Sequence, residues 1–183
     1  PAGIVIAMIF GLTLTGPISS AGLAAMVFTV PEGQTPGLGL LLAAGAATVG
    51  CACHMVGFAV SSYRDNGVGG LIAQGFGTSK IQMGNAFRRP IILVPPTLTS
   101  AILGPLATTV FQMKNISASA GMGTSGLVGQ FGTWAVMTGE NPAILLTKIL
   151  LMHFLMPAAF SLIISEFMRK KGWIHDGDMK LNL

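Results

Sequence analysis

The sequence predicts an all-α integral membrane protein whose transmembrane helices include broken or re-entrant segments. Only 9% of its 183 residues are charged and 51% are hydrophobic, whereas about 25% of the residues of a soluble domain are charged. Apolar stretches that approach or exceed the roughly 20 residues needed to cross a bilayer recur along the chain. A charge-free run at 115–139 is unusually rich in glycine, serine and threonine. We expect a single transmembrane domain over 1–183.

The N-terminal third predicts one interrupted apolar segment followed by one long span. Residues 1–30 are apolar but interrupted at Gly16-Pro17. This pattern predicts either one helix kinked at Pro17 or a shortened helix followed by a half-helix. The Pro- and Gly-containing stretch 31–36 predicts a turn. Residues 37–62 carry no formal charge, and their many small residues predict close packing against other helices.

The middle of the chain changes character at 63–89, which carries four Arg and Lys residues against one acid. We expect this segment to be cytoplasmic, with a short interfacial or re-entrant helix at 70–77. The next span, 90–113, contains Pro95-Pro96 and Pro105, which predict a break or a bend.

The last span is predicted at 143–167, before the basic cluster Arg169-Lys-Lys171 and a polar tail. We expect Glu166 to pair with Arg169, and the tail 169–183 to be cytoplasmic and solvated.

Positive charge gives the topology independent support. Segments 63–89 and 169–183 hold eight of the ten Lys and Arg residues, and basic residues favour the cytoplasmic side of a membrane. The spans before and after these segments then alternate in direction. Residues 115–139 must therefore enter the membrane and return to the side from which they came.

A re-entrant segment also explains the four glycines within 121–130. Glycine weakens a helix and lets backbone approach backbone or ligand. Irregular backbone at membrane depth survives only where it is buried in protein or lines a watery cavity. The alternatives are a surface loop before an ordinary helix, or small residues that serve helix packing.

Two parts of the chain follow a similar order, which suggests an internal repeat. Ser19–Leu23 and Thr124–Leu127 are each followed by an apolar half-segment, a glutamate, a proline and a long span. Repeats around discontinuous helices are typical of transporters, with the solute site where they meet. Composition bias is the alternative explanation.

The candidate solute-binding residues are small or neutral polar residues near these breaks, with one histidine and one acid. Neutral hydroxyls and amides suit an uncharged polyol, and a carboxylate can accept two hydrogen bonds from vicinal hydroxyls or carry a proton. An ionisable side chain inside a span is a functional hypothesis by default. The residues are Ser19, Ser20, His54, Gly121, Gly123, Thr124, Ser125, Gln130 and Glu140.

Plainer interpretations stand beside these assignments. Glu140 can equally be an exposed glutamate in an outer loop. His54 and His153 can equally be satisfied by backbone carbonyls inside their spans.

The sequence predicts no catalytic residue, metal site, cofactor or nucleic-acid partner. Cys51 and Cys53, with one residue between them, make an incomplete metal site and are interpreted as small core residues. His175 with Asp176 and Asp178 is a poor metal motif. No Gly-rich loop ends in Gly-Lys-Ser or Gly-Lys-Thr, and the basic residues flank spans, as topology requires.

Three long strings resemble the IIC permeases, which are membrane components of bacterial phosphotransferase systems. They are ATVGCACHMVGFAVSSYRDNGVGGLIAQGFGTS at 47–79, PPTLTSAILGPLATTVFQMKN at 95–115 and AGMGTSGLVGQFGTW at 120–134. The branch that they resemble also includes the membrane regulator of perfringolysin O expression. The resemblance covers about 16–165. Members of this family are typically longer, which implies that the chain is the C-terminal part of such a protein.

The resemblance implies a sugar or polyol permease of the bacterial inner membrane that forms a homodimer. It would bind its solute at the re-entrant segment and hand it to a separate phosphoryl-donor subunit docked at 63–89. The chain would thus be at most the membrane component of a sugar phosphotransferase, because nothing in it resembles the donor domain.

Sugar permeases of this family carry a Gly-Ile-Thr-Glu-Pro motif whose glutamate holds the sugar. The nearest string here is Thr138-Gly-Glu-Asn-Pro142, which lacks the Gly-Ile and places Asn between Glu and Pro. This departure supports a second hypothesis, a membrane-embedded sensor or regulator with a permease-like fold that transports nothing.

Overall fold

The fold is built from helices, and a computed structural model describes residues 1–182. No strand occurs within these residues, and short 3₁₀ and π turns lie between the α-helices. The α-helices are α1 (Ala2–Thr15), α2 (Ser20–Phe28), α3 (Leu38–Ser61), α4 (Tyr63–Ile72), α5 (Met83–Arg88), α6 (Val94–Thr109), α7 (Ser117–Ala120), α8 (Val128–Val136), α9 (Pro142–Leu150) and α10 (Met156–Lys170).

Within 1–182, three continuous helices are long and apolar enough to cross a membrane. They are Leu38–Ser61, Pro90–Thr109 and Pro142–Lys170, the last of which joins α9 and α10 through a π turn at Leu151–Leu155. The prediction of an all-α membrane protein is therefore confirmed. The second span ends at Thr109, four residues before the predicted end, and the third continues beyond the predicted end at 167.

Helix α3 lies at the centre and packs against α1, α6 and α10. Its side chains from Ala44 to Ala59 are all buried. Glycines allow the closest approaches, because a Cβ added at Gly50 would collide with the carbonyl of Ala7, and one at Gly104 with that of Gly3. The close packing predicted from the small residues of the first span is present.

The apolar segment 1–30 forms two separate helices, which decides between the two sequence-based alternatives. Helix α1 ends at Thr15, and Ser19 caps α2 by accepting a hydrogen bond from the Gly22 N–H (3.1 Å). Between them, Lys80 Nζ donates to the carbonyls of Gly16 (2.6 Å) and Ile18 (3.1 Å). A cation at the carbonyl end of a helix is favourable, because it interacts with the negative end of the helix dipole.

The segment 63–89 is more helical than predicted. Gly67 interrupts α4 with the non-helical angles φ 58° and ψ −152°, and the part of α4 after this kink continues into a π turn at Ala73–Gly77. The predicted short helix at 70–77 is therefore present. A 3₁₀ turn at Ser79–Gln82 and helix α5 follow.

The sequence predicts a break or a bend at the prolines of the second span, and the structure shows no break there. The helix changes from a 3₁₀ turn at Pro90–Leu93 to α6 just before Pro95. The helix is continuous over Pro90–Thr109. Pro95 and Pro96 lie in the first turn of α6, where a proline is tolerated because the backbone N–H there needs no intrahelical partner. Pro105 lies inside the helix.

The tail after α10 packs against 63–89, so the expectation of a solvated tail is wrong. Met179 is fully buried, and its carbonyl accepts hydrogen bonds from the side-chain amides of Asn66 (2.8 Å) and Gln82 (2.9 Å). Asn85 reaches the carbonyl of Lys180 (2.9 Å). The tail thus forms a strap, defined here as residues 173–182, across the segment.

Charged groups fix this strap in place. Asp178 accepts hydrogen bonds from the His175 N–H (2.8 Å) and from Arg89 Nε (3.1 Å). Burial alone would raise the pKa of Asp178, but the two hydrogen bonds and the nearby positive charges hold its pKa below the usual value. The expected pairing of Glu166 with Arg169 is wrong, because Glu166 pairs with Arg64 (2.7 Å).

Arg169 instead bridges the strap to the start of α4. It contacts Asp65 (3.4 Å) and Asp176 (2.7 Å). The side chains of Arg169 and Asp65 are only 6% and 4% exposed, whereas those of Arg64 and Glu166 are 60% and 31% exposed. Arg169–Asp65 is therefore a buried ion pair and Arg64–Glu166 an exposed one, and the two can be compared directly.

We expect Arg169→Met to lower the free energy of unfolding by about 3 kcal/mol, because it leaves the buried carboxylate of Asp65 without its charge partner. The matched control, Arg64→Met, removes the exposed pair and should cost less than about 1 kcal/mol. Equilibrium unfolding of the purified protein in detergent measures both. Equal losses from the two variants would contradict a structural role for the buried pair.

Candidate solute site

Residues 115–136 form a hairpin of two short helices, α7 and α8, joined by a loop at 121–127. Gly123, Gly126 and Leu127 have positive φ values of 54°, 51° and 60°, which reverse the chain between the helices. The two arms touch, because Asn115 Nδ2 donates to the carbonyl of Gly129 (3.0 Å) on the second arm. The glycine-rich stretch thus forms a compact turn and not an extended surface loop.

The loop of the hairpin is fastened to three other segments. Ser20 on α2 donates its hydroxyl to the carbonyl of Gly121 (2.7 Å), and Thr124 donates to the carbonyl of Gly75 in the π turn at Ala73–Gly77. A Cβ added at Gly121 would collide with the carbonyl of Ser20, and one at Gly123 would lie 2.8 Å from Cys51 Cβ on α3. Four predicted site residues, Ser20, Gly121, Gly123 and Thr124, therefore meet here as packing and hydrogen-bonding partners.

A second group of polar residues lies on the other arm of the hairpin. Gln130 on α8 is 8% exposed, and its Nε2 lies 3.0 Å from Nδ1 of His153. The π turn at Leu151–Leu155 contains His153, and π turns inside helices occur frequently at functional sites. Thr133 follows Gln130 by three residues, so it shares the buried face of α8.

These three side chains share an unusual property. Gln130 Oε1, Thr133 Oγ1 and His153 Nε2 are buried atoms that have no hydrogen-bond partner within residues 1–182. When Gln130 Nε2 donates to Nδ1, the imidazole proton is on Nε2. Gln130 Oε1 is then a free acceptor, His153 Nε2–H is a free donor, and the hydroxyl of Thr133 can both donate and accept. We call Gln130, Thr133 and His153 the polar triad.

His54 occupies a different place. Its Nδ1 lies 2.9 Å from the hydroxyl of Thr15 and its Nε2 lies 3.3 Å from that of Thr97, and Thr15 also contacts the Ser79 hydroxyl (2.9 Å). Both ring nitrogens therefore have hydroxyl partners. This network joins the end of α1, the middle of α3, the start of α6 and the 3₁₀ turn at Ser79–Gln82, and it shares no hydrogen bond with the triad.

The other predicted site residues, Ser19, Ser125 and Glu140, share no hydrogen bond with the triad within the described residues. Ser19 is an exposed helix cap. Ser125 is half-buried in the hairpin loop and its side chain forms no hydrogen bond within the described part of the chain. Glu140 lies between α8 and α9 and is paired with Lys148 (2.7 Å).

Sequence reasoning named Gln130, left His153 open and missed Thr133. The available signal for Thr133 was its spacing of three residues from Gln130 on one helix face.

The described residues contain no group of three or more His, Cys, Asp or Glu side chains that could hold a metal ion. Cys51 and Cys53 are free thiols within the apolar core, as their interpretation as small core residues predicts.

The fold and this site define a helical membrane protein with a buried, uncharged polar centre next to a hairpin. The chain matches the family model described as "Phosphotransferase system, EIIC" over residues 1–181, and it belongs to that family. It is thus a membrane-embedded sugar permease component of a phosphotransferase system, which works with the other components of that system. The family predicted by resemblance is confirmed. No curated protein and no solved structure matches the chain.

We expect Gly121→Ala to destabilise the protein by about 2 kcal/mol, because the new methyl group collides with the Ser20 carbonyl and overpacks the junction of the hairpin with α2. Gly121 has φ −88°, so alanine itself fits the backbone there. Gly139→Ala is the control and should change stability by less than about 0.5 kcal/mol, because nothing lies within 4 Å of its added Cβ. Equal unfolding midpoints for the two variants in detergent would contradict the junction.

Proposed function

We propose that the chain binds a sugar or related polyol at the polar triad, beside the re-entrant hairpin, and moves it across the bacterial inner membrane. A separate phosphoryl-donor subunit then receives the solute on the cytoplasmic side, where 63–89 and the strap lie. The observation that carries the proposal is that Gln130 and His153, which contact each other, each leave a buried polar atom unpaired, as does Thr133 on the same buried face of α8.

The energetic argument concerns unpaired polar atoms. More than 90% of buried backbone polar groups, and most buried side-chain polar atoms, have a hydrogen-bond partner. Each unpaired group costs about 1–3 kcal/mol. Three of them at one site make the empty state unfavourable, and a ligand that supplies complementary groups removes this cost. Sugar hydroxyls both donate and accept, so they match the mixed donor and acceptor character of the triad.

The charge of the site favours a neutral solute. The triad consists of an amide, a hydroxyl and an imidazole. A sugar phosphate would bring a negative charge into a buried site whose three polar side chains offer no positive charge to pair with it. Burying an unpaired charge is costly. Phosphorylation would therefore follow transport or accompany release, and the phosphoryl group comes from the separate donor.

Access to the triad requires movement, because its unpaired atoms are shielded from solvent. The hairpin is the natural moving element. Its loop is held by single neutral hydrogen bonds from Ser20 and to Gly75, each of which contributes about 0.5–1.5 kcal/mol. Such contacts can break and form again during a transport cycle, and the glycines of the loop can absorb the change in backbone angles.

Two parts of the chain, the segment 63–89 and the strap, together form the docking surface for the donor subunit. The side-chain amides of Asn66, Gln82 and Asn85 are already bonded to the strap. A partner that approaches 63–89 would therefore contact the strap as well. The resemblance to IIC permeases also predicts a homodimer, and the re-entrant placement of the hairpin relative to the bilayer is part of this proposal.

Gln130→Leu should abolish solute binding without loss of folding, because it removes the amide that bonds His153 and supplies the free acceptor. The measurement is a thermal-shift screen of the purified protein against sugars, polyols and sugar phosphates. A ligand at 100 times its dissociation constant stabilises the folded state by about 2.7 kcal/mol. Gln34→Leu, at an exposed loop position, is the matched control and should keep the full shift.

Two outcomes would contradict the proposal. A sugar-induced shift that survives in Gln130→Leu would place the site elsewhere, and a parallel measurement on Glu140→Gln tests the acid predicted from the sequence. The absence of any shift in folded protein would contradict the permease and favour the sensor or regulator hypothesis.

A further inference from the structure

A groove with aromatic walls opens beside Gln130. It lies between the π turn at Ala73–Gly77, helix α8 and the helix that runs from α9 into the π turn at Leu151–Leu155. Its volume is about 560 Å³, within the range of roughly 300–1,000 Å³ that is common for ligand pockets. Its lining residues are Phe76, Leu127, Gln130, Phe131, Trp134, Leu146, Ile149, Leu150 and Phe154.

The lining of the groove is almost entirely apolar. Gln130 is its one polar residue, and every other lining side chain is aromatic or aliphatic. The rings of Phe76 and Phe154 lie 6.4 Å apart, and Phe131 and Trp134 extend the aromatic surface along α8. The groove therefore offers a broad apolar face with a hydrogen-bonding group at one place only.

We propose that the solute is an amphipathic glycoside, whose sugar bonds the polar triad and whose aromatic or other apolar aglycone lies in this groove. The inference rests on the proposed function, because it assigns a substrate class to the same site. Gln130 is the link, since it lines the groove and also contacts His153, and its Oε1 is an unpaired atom of a side chain more than nine-tenths buried.

Other occupants fit less well. A free sugar in the groove would bring hydroxyl groups against apolar side chains that cannot pair them, which is unfavourable. Gln130 Oε1 is shielded from solvent, so the sugar reaches it only after the hairpin moves. A lipid chain, or the apolar surface of a second copy, would cover the aromatic walls but bring no hydrogen-bonding group to Gln130. An amphipathic glycoside satisfies both parts, because its two ends match the two kinds of surface.

The two tryptophans of the chain allow a site-specific test. Trp134 lines the groove, whereas Trp173 lies in the strap beside Phe167. In a Trp173→Phe variant the remaining tryptophan reports on the groove. Nitrophenyl glycosides absorb near the tryptophan emission and quench it on binding. Matched methyl and nitrophenyl glycosides of several hexoses, in both anomeric forms, are titrated against this variant in lipid nanodiscs.

We expect saturable quenching of Trp134 by at least one nitrophenyl glycoside, with competition by the methyl glycoside of the same sugar. The nitrophenyl compound should bind at least tenfold more tightly. Phe131→Ala should reduce this advantage severalfold. Phe131 is 69% exposed, so its truncation should leave the fold intact. Phe167→Ala, which removes an exposed phenylalanine beside Trp173, is the control and should leave the advantage unchanged.

The failure of this inference is distinguishable from failure of the proposed function. If methyl and nitrophenyl glycosides bind equally and Gln130→Leu abolishes both, the solute site stands and the aglycone groove is wrong. Quenching that rises without saturation, or that Phe131→Ala leaves unchanged, also overturns the groove. If no glycoside of either kind binds to folded protein, both the groove and the proposed function are wrong.

Discussion

Backbone carbonyls at the helix breaks have no partner within their own helix, so other segments of the protein must supply their hydrogen bonds. In a membrane, each backbone polar group must find its partner within the protein. Here a side chain from a distant segment reaches each break: Lys80 caps the end of α1, Ser20 bonds Gly121, and Thr124 bonds Gly75. The breaks are therefore assembled against one another around α3, and each one depends on the others for its hydrogen bonds.

This constraint explains the composition that makes the sequence look unusual. Backbone from different segments can approach closely only where side chains are small, so glycines lie at the contacts between α1 and α3 and between α2 and the hairpin. Unlike these carbonyls, the three unpaired atoms of the triad have no hydrogen-bond partner within the described residues. They lie where the second arm of the hairpin meets the π turn at Leu151–Leu155.

The sequence predicted the elements that depend on local pattern. The long apolar spans, the break after Thr15 and the glycine-rich turn at 121–127 follow from residues that are adjacent in the chain. Contacts between distant residues could not be predicted in this way. Arg169 lies one turn from Glu166, yet it pairs with Asp65, whose carboxylate also accepts hydrogen bonds from the backbone N–H groups of the strap at positions 177 and 179. Gln130 meets His153 only because a π turn places the imidazole opposite α8, and nothing in the spacing indicates that turn.

We propose that the loop of the hairpin becomes accessible to water when the solute site opens, and cysteine labelling measures this accessibility. Ser125→Cys suits this purpose, because its side chain is half-buried and forms no hydrogen bond within the described residues, while Cys51 and Cys53 are buried. We expect the new thiol of Ser125→Cys to react with a charged, membrane-impermeant thiol reagent in vesicles, and bound solute should slow this reaction. Leu162→Cys, on the apolar surface of α10, should not react. If neither cysteine variant reacts, or if every sugar and glycoside leaves the labelling rate of Ser125→Cys unchanged, the hairpin loop does not line the solute path.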